Sequence, residues 1–195
     1  MKRFTGVKGT IILIVLIIGI VAYYGYLSNK ASVQKEADKS MTKVQTVLIR
    51  DLDLNYPPTV KEVVKYYGDI ILCLYGGACE ENDIEKLAAQ AFKVYDSELV
   101  DNNPWSEYII DLKNEIETFS SKNIKITGYS AAGSTSVDYF EDGGYDWARI
   151  YCTFYVQNSK NSGTVNEIIL LRKDSEKQWK IYGWDLAENV NIPEE

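Results

Sequence analysis

Tyr145-Asp146-Trp147-Ala148-Arg149-Ile150-Tyr151-Cys152-Thr153-Phe154-Tyr155-Val156-Gln157 alternates Ile150, Cys152, Phe154 and Val156 with Arg149, Tyr151, Thr153 and Tyr155. Successive side chains of extended backbone point to opposite sides, so this period of two predicts a strand with one face on a core. Immediately before it, Glu141-Asp142-Gly143-Gly144 reads as a hairpin turn. Upstream, Ile124 and Ile126 alternate with Lys125 and Thr127, and after a run of small residues Val137 and Tyr139 resume the alternation against Ser136 and Asp138. Downstream, Asn161-Ser162-Gly163 turns the chain, and Val165 to Arg172 and Lys177 to Trp184 complete a meander through Lys173-Asp174-Ser175-Glu176. Four antiparallel strands are expected.

Before Asn123 the period is helical. Asn55-Tyr56-Pro57-Pro58 ends one helix, because proline cannot continue it and forces the preceding residue into an extended conformation. Thr59 with Glu62 is a capping box that opens the next, with an apolar face of Val60, Val63, Val64, Tyr67, Ile70, Ile71 and Leu74 and a stop at Gly76-Gly77. A second helix is expected from Asn82, burying Ile84, Leu87, Ala88, Ala91, Val94 and Tyr95. A third is expected from Asn103 with Pro104 in its first position, presenting Trp105, Tyr108, Ile109, Leu112, Ile116 and Phe119. Three helices then cover one face of the sheet, an α+β arrangement over residues 55–187, followed by an acidic tail over 188–195.

Gly9 to Asn29 carries no charge and contains the run from Ile11 to Ala22. As a helix it would measure roughly 30 Å, the thickness of a bilayer's hydrocarbon core. Residues 9–29 are therefore expected to span the lipid bilayer, after a basic tail over 1–8 with Lys2, Arg3 and Lys8. Ala22-Tyr23-Tyr24-Gly25-Tyr26-Leu27 offers no small-x-small cleavage site, so the span reads as an uncleaved signal anchor with an interfacial belt of tyrosines. The short, purely basic tail favours a single-pass protein of the cell membrane with a cytoplasmic N-terminus and an extracytoplasmic domain. Residues 30–54 read as a stalk helix with apolar residues Val33, Ala37, Met41, Val44 and Leu48; Lys35, Lys39 and Lys43 form a basic stripe placed to meet anionic lipid.

Charge divides the chain. Residues 1–50 carry a net +6 and the remainder −13, which excludes nucleic acid as a partner of the folded part. Histidine is absent, and with it the commonest general base and metal ligand. No cofactor or metal site is expected. Of three cysteines, Cys73 and Cys152 fall at apolar positions as small buried hydrophobes, while Cys79 is open to bridging outside the cytoplasm.

Helices followed by a meander ending in Trp179-Lys180-Ile181-Tyr182-Gly183-Trp184 resemble the nuclear transport factor 2-like cone, in which a curved sheet wraps helices and often encloses a pocket. Asn55-Tyr56-Pro57-Pro58-Thr59, Glu62-Val63-Val64, Asn102-Asn103-Pro104 and Leu171-Arg172-Lys173-Asp174 together resemble a family of small single-pass membrane proteins of Gram-positive bacteria. That resemblance implies an anchored domain and brings no catalytic residue to carry over. The expected function is non-catalytic binding of a protein or small ligand, with Trp105, Tyr151, Tyr155 and Trp184 as contact residues. Tyr151 and Tyr155 are chosen because they oppose the apolar face of their strand and would stay partly open. Two other functions compete. A cone-fold enzyme would need a buried carboxyl, yet Asp146 and Asp185 fall at strand ends; a pilin-like subunit would need a glutamate where Ile14 stands.

Overall fold

Capping and period set where the elements begin, and the computed structural model, which describes residues 41–187, shows five helices and five strands. The helices are α1 (Lys43–Leu48), α2 (Val60–Tyr75), α3 (Glu81–Val94), α4 (Ser97–Asp101) and α5 (Trp105–Ser121). The strands are β1 (Lys125–Ala131), β2 (Asp138–Asp142), β3 (Tyr145–Gln157), β4 (Ser162–Lys173) and β5 (Trp179–Leu186). All pair antiparallel in one sheet, and the fold is α+β. Gly9 to Asn29, Lys35, Lys39 and the 188–195 tail lie outside the described residues. Among the described residues no helix is long and apolar enough to cross a membrane.

The expected first strand is two. β1 pairs with the Cys152–Gln157 half of β3 and β2 with its Tyr145–Arg149 half, along the same edge. Between them Ala132 to Val137 offers few bulky side chains, and a 3-10 turn over Ser134–Ser136 lifts the chain away. The sheet therefore has five strands, not four, while remaining four strands wide. Gly143 and Gly144, at φ of 59° and 82°, form the two-residue turn into β3. The next turn falls earlier than expected, at Asn158 to Asn161, where the Asn158 carboxamide accepts from the Lys160 and Asn161 amides at 2.9 and 2.8 Å.

Helix boundaries also shift. Thr59 caps α2 as expected, accepting from the Glu62 amide at 3.3 Å. α3 begins at Glu81, ahead of Asn82, and α5 begins at Trp105 with Pro104 as its flanking residue. Between them lies α4, which the sequence reading lacks, capped by Asp96 accepting from the Glu98 amide at 3.0 Å. Three long helices are thus joined by two short ones. Val44, Val47 and Leu52 are buried, so the packed body takes in the end of the segment expected as stalk.

Core formation follows the predicted faces. Ala148, Ile150, Cys152 and Phe154 of β3, Ile169 and Leu171 of β4 and Ile181 of β5 are buried with Val60, Val63, Val64, Ile70 and Leu74 of α2. α2 packs on β1 closely enough that a Cβ at Gly68 would stand 2.6 Å from the Tyr129 ring. That ring is held, since the Tyr129 hydroxyl donates to the Lys65 carbonyl at 2.7 Å. All three cysteines are free: Cys73 and Cys152 are buried, as expected, and Cys79 is half-buried and unbridged.

After α3 the chain becomes extended and clips onto the edge of β5. Tyr95 bridges Ile181, and the Asp96 amide donates to the Ile181 carbonyl at 2.8 Å. Neighbouring residues of extended backbone face opposite ways, so Tyr95 points to the helix side and Asp96 to the other. There Asp96 receives Arg172 through two hydrogen bonds, from Nε at 3.0 Å and from the terminal nitrogen at 2.6 Å. Both partners are buried. The guanidinium also lies over the rings of Tyr145, Trp147 and Tyr182 at 4.7, 5.5 and 4.9 Å, and its remaining nitrogen reaches Glu98 at 2.8 Å. These contacts raise the Arg172 pKa and lower that of Glu98.

Two outcomes test this packing by chemical denaturation. Gly68→Ala should destabilise the domain by about 1–3 kcal/mol, because the new methyl must displace a tethered ring. Asp96→Ala should cost about 3–5 kcal/mol by leaving a buried guanidinium unpaired, with Arg172→Met less harmful because it removes the charge as well.

A helix-side aromatic cleft as the candidate functional site

Placing Tyr95 inside the β5 edge brings it to Tyr67 of α2 and Trp184 of β5, with ring centroids 6.1 and 5.9 Å away. Tyr67 and Trp184 are themselves 5.6 Å apart. Tyr108 of α5 lines the same wall beside Tyr67 and Tyr95. Burial raises the pKa of all three hydroxyls, which keeps them protonated as hydrogen-bonding groups at neutral pH. This aromatic wall separates two adjoining clefts between α2, α5 and the sheet.

One cleft, of about 220 Å³, runs from Tyr67, Tyr75 and Trp184 to Phe154, Val165 and Glu167. The other, of about 360 Å³, shares Tyr67, Tyr75, Glu115 and Trp184 and extends past Tyr108 to Glu107 and Asp111. Among the described residues four carboxyl groups therefore line the pair, and no lysine or arginine does. The Tyr75 hydroxyl donates to Glu115 at 2.6 Å. Charge and aromatic surface converge here.

Glu167 is the unusual member. Its strand neighbours in register, Ile169 and Leu171, are core residues, so the pleat turns its carboxyl toward the helices. Among the described residues it has neither a hydrogen bond nor a salt bridge. Burial alone pushes its pKa up to about 7. A period-two reading of Val165-Asn166-Glu167-Ile168-Ile169-Leu170-Leu171 places Glu167 on the apolar face, so a signal for it exists in the sequence. No comparable signal marks Tyr95 or Asp96, which meet β5 and Arg172 only through the chain's turn.

The four residues expected to form a contact surface are all partly exposed but do not gather. Trp184 stands in the cleft wall. Trp105 packs edge-on against Phe92 at 5.1 Å, at the start of α5. Tyr151 and Tyr155 lie on the opposite side of the sheet from the cleft, with Tyr145 and Trp147 in the same alternating set. On that side Ile168, opposite Tyr151, is buried. The aromatic outer face expected from the alternation is thus present, though Trp105 and Trp184 are not part of it. Asp146 pairs with Lys173 at 3.1 Å, well away from any cleft carboxyl in the sheet register.

A carboxyl whose folded pKa is raised contributes stability below its unfolded pKa and loses that contribution as pH rises through the folded value. Glu167 should therefore make the domain less stable at about pH 8 than at about pH 5, by on the order of 1–2 kcal/mol after solvent screening at the cleft mouth. Glu167→Gln should remove this part of the pH dependence and raise stability at the alkaline end. Urea titrations at the two pH values measure both changes.

Known families place the whole assembly in one context. Residues 1–184 match the model of a family described as a domain of unknown function, DUF6715. No curated relative matches the chain. Because the match runs from Met1 through Trp184 of the last strand, the chain belongs to the DUF6715 family.

Proposed function

We propose that this chain is a membrane-anchored, extracytoplasmic binding domain that takes a small ligand in the helix-side cleft and performs no chemistry on it. The observation that carries this reading is the junction of two clefts at Tyr67, Tyr75, Glu115 and Trp184, a concave surface where aromatic rings and carboxyl groups stand side by side. Such surfaces bind by burying apolar area and orient the ligand through the polar groups. The absence of histidine removes the commonest general base and leaves Glu167 as the cleft carboxyl that burial pushes up to about 7. A cone-like description of the sheet and helices, similar to the nuclear transport factor 2-like fold, agrees with a cleft in this position. The uncharged Gly9 to Asn29 stretch supports a single-pass anchor, and the basic Lys35, Lys39 and Lys43 support contact with anionic lipid beside it. Kinship with small single-pass proteins of Gram-positive bacteria rests on the motifs quoted above.

Tyr151 and Tyr155 favour a second use. They are 41% and 44% exposed on the sheet's outer face, where a protein partner would meet them without entering the cleft.

The anchor is tested by extracting membranes with alkaline carbonate and treating intact spheroplasts with protease. The full chain should stay in the pellet and its C-terminal domain should be digested from outside. Ligand-observed NMR with a fragment library tests the cleft, using full-length protein in maltoside micelles and Val165→Trp as a variant that fills it. Fragments that bind the native chain should lose binding in the variant. If no fragment is sensitive to that change, the cleft is not a binding site.

A further inference from the structure

We propose that the cleft ligand is a small organic ammonium ion, held by Glu167 and Glu115 with its apolar body against Trp184, Tyr67 and Tyr75. The inference rests on the cleft being a binding site and adds the chemical class of its occupant.

Three observations carry it. First, among the described residues the lining contains Glu107, Asp111, Glu115 and Glu167 with no basic side chain, so their field attracts cations and repels anions. Second, the carboxyls are set among aromatic rings, whose faces attract a cation as it sheds water. Third, Glu167 is half-buried on a face otherwise given to the core, and no described residue offers it a hydrogen bond or an opposite charge. A charged carboxylate in that position is costly unless something brings a partner, and an ammonium group brings both the charge and the donors.

A metal ion fits less well. Hard divalent cations take six to eight oxygen ligands, whereas Glu167 is flanked by Phe154, Val165 and Trp184. Among the described residues no three ligating side chains come together to hold one. Rings and aliphatic side chains suit a ligand that is part hydrocarbon.

Proton and ligand should compete for Glu167. The ionisable groups sharing its cleft are Tyr67 and Tyr75 from α2 and Glu115 from α5, with Cys152 of β3 paired opposite it; β5 offers Trp184 and, opposite Glu167, Leu186, neither charged. Burial holds the tyrosines and Cys152 protonated, with Cys152 pushed up to about 12. Near neutrality Glu167 is thus the group whose charge changes, since burial pushes it up to about 7.

The test uses full-length protein in dodecyl maltoside, whose headgroup carries no cation, and isothermal titration with 2-phenylethylamine and its uncharged analogue 2-phenylethanol. The amine should bind at least about tenfold more tightly, as one desolvated carboxylate contact predicts. Its affinity should fall between about pH 8 and about pH 6 as Glu167 takes up a proton. Glu167→Gln should weaken the amine about tenfold, abolish the pH dependence and leave the alcohol unchanged. Glu115→Gln should act in the same direction. Equal binding of amine and alcohol, both lost in Val165→Trp, would overturn the ammonium assignment while leaving the cleft a binding site. Failure of both probes overturns it too, and fragments displaced by Val165→Trp then show independently whether the cleft binds anything. Circular dichroism confirms that each variant is folded.

Discussion

The extended pair Tyr95-Asp96 is the constraint on which the helix-side and outer faces jointly depend. Its backbone is held to β5 by the Asp96 amide at 2.8 Å from the Ile181 carbonyl, and its two side chains pass to opposite sides of the sheet. On one side Asp96 neutralises the buried Arg172, and on the other Tyr95 supplies a ring that meets both Tyr67 and Trp184. The ion pair and the cleft wall are thus adjacent residues of one short segment. A buried ion pair gains little net stability over a hydrophobic substitute, but breaking it is expensive, so the segment has one placement.

The same segment explains why α4 exists. The chain must leave the β5 edge and return to start α5, and Asp96 both caps that turn and holds Arg172. Glu98, two residues on, takes the guanidinium's remaining nitrogen and accepts from the Tyr182 hydroxyl at 2.8 Å. Tyr182 in turn lies across Trp147 at 4.9 Å. Tyr145, Trp147 and Tyr182 are thereby ordered around a cation on the outer face, with Tyr151 and Tyr155 beyond it.

Opposite electrostatics distinguish the two faces. Outside, Arg172 sits among rings with its carboxylates supplied by the chain, and Arg149 pairs with Asp138 in the same manner. Inside, Glu115 and Glu167 sit among rings with no cation from the described residues. Ring-lined sites of both signs are therefore built on one sheet, one satisfied internally and the other without a cation among the described residues. Desolvation of Glu167 follows from strand register, since a pleat that buries Ile169 and Leu171 must turn Glu167 inward as well.

The amino-acid sequence by itself determined the period of each element, and with it the α+β class, the capped start of α2, the glycine turn into β3 and the buried face of that strand. Those features depend on neighbours a few residues apart, where spacing and capping act directly. It also contained the inward phase of Glu167, because register within a strand is local. Division of the first strand into β1 and β2 was decided by the length of β3, which offers two halves of one edge to two short partners. Tertiary structure alone decided that residue 96 would meet residue 172, that Trp184 would join the cleft, and that Val44 and Val47 would enter the core. Each of these contacts joins segments distant in sequence, and their meeting depends on where the helices pack over the sheet, which no local period encodes.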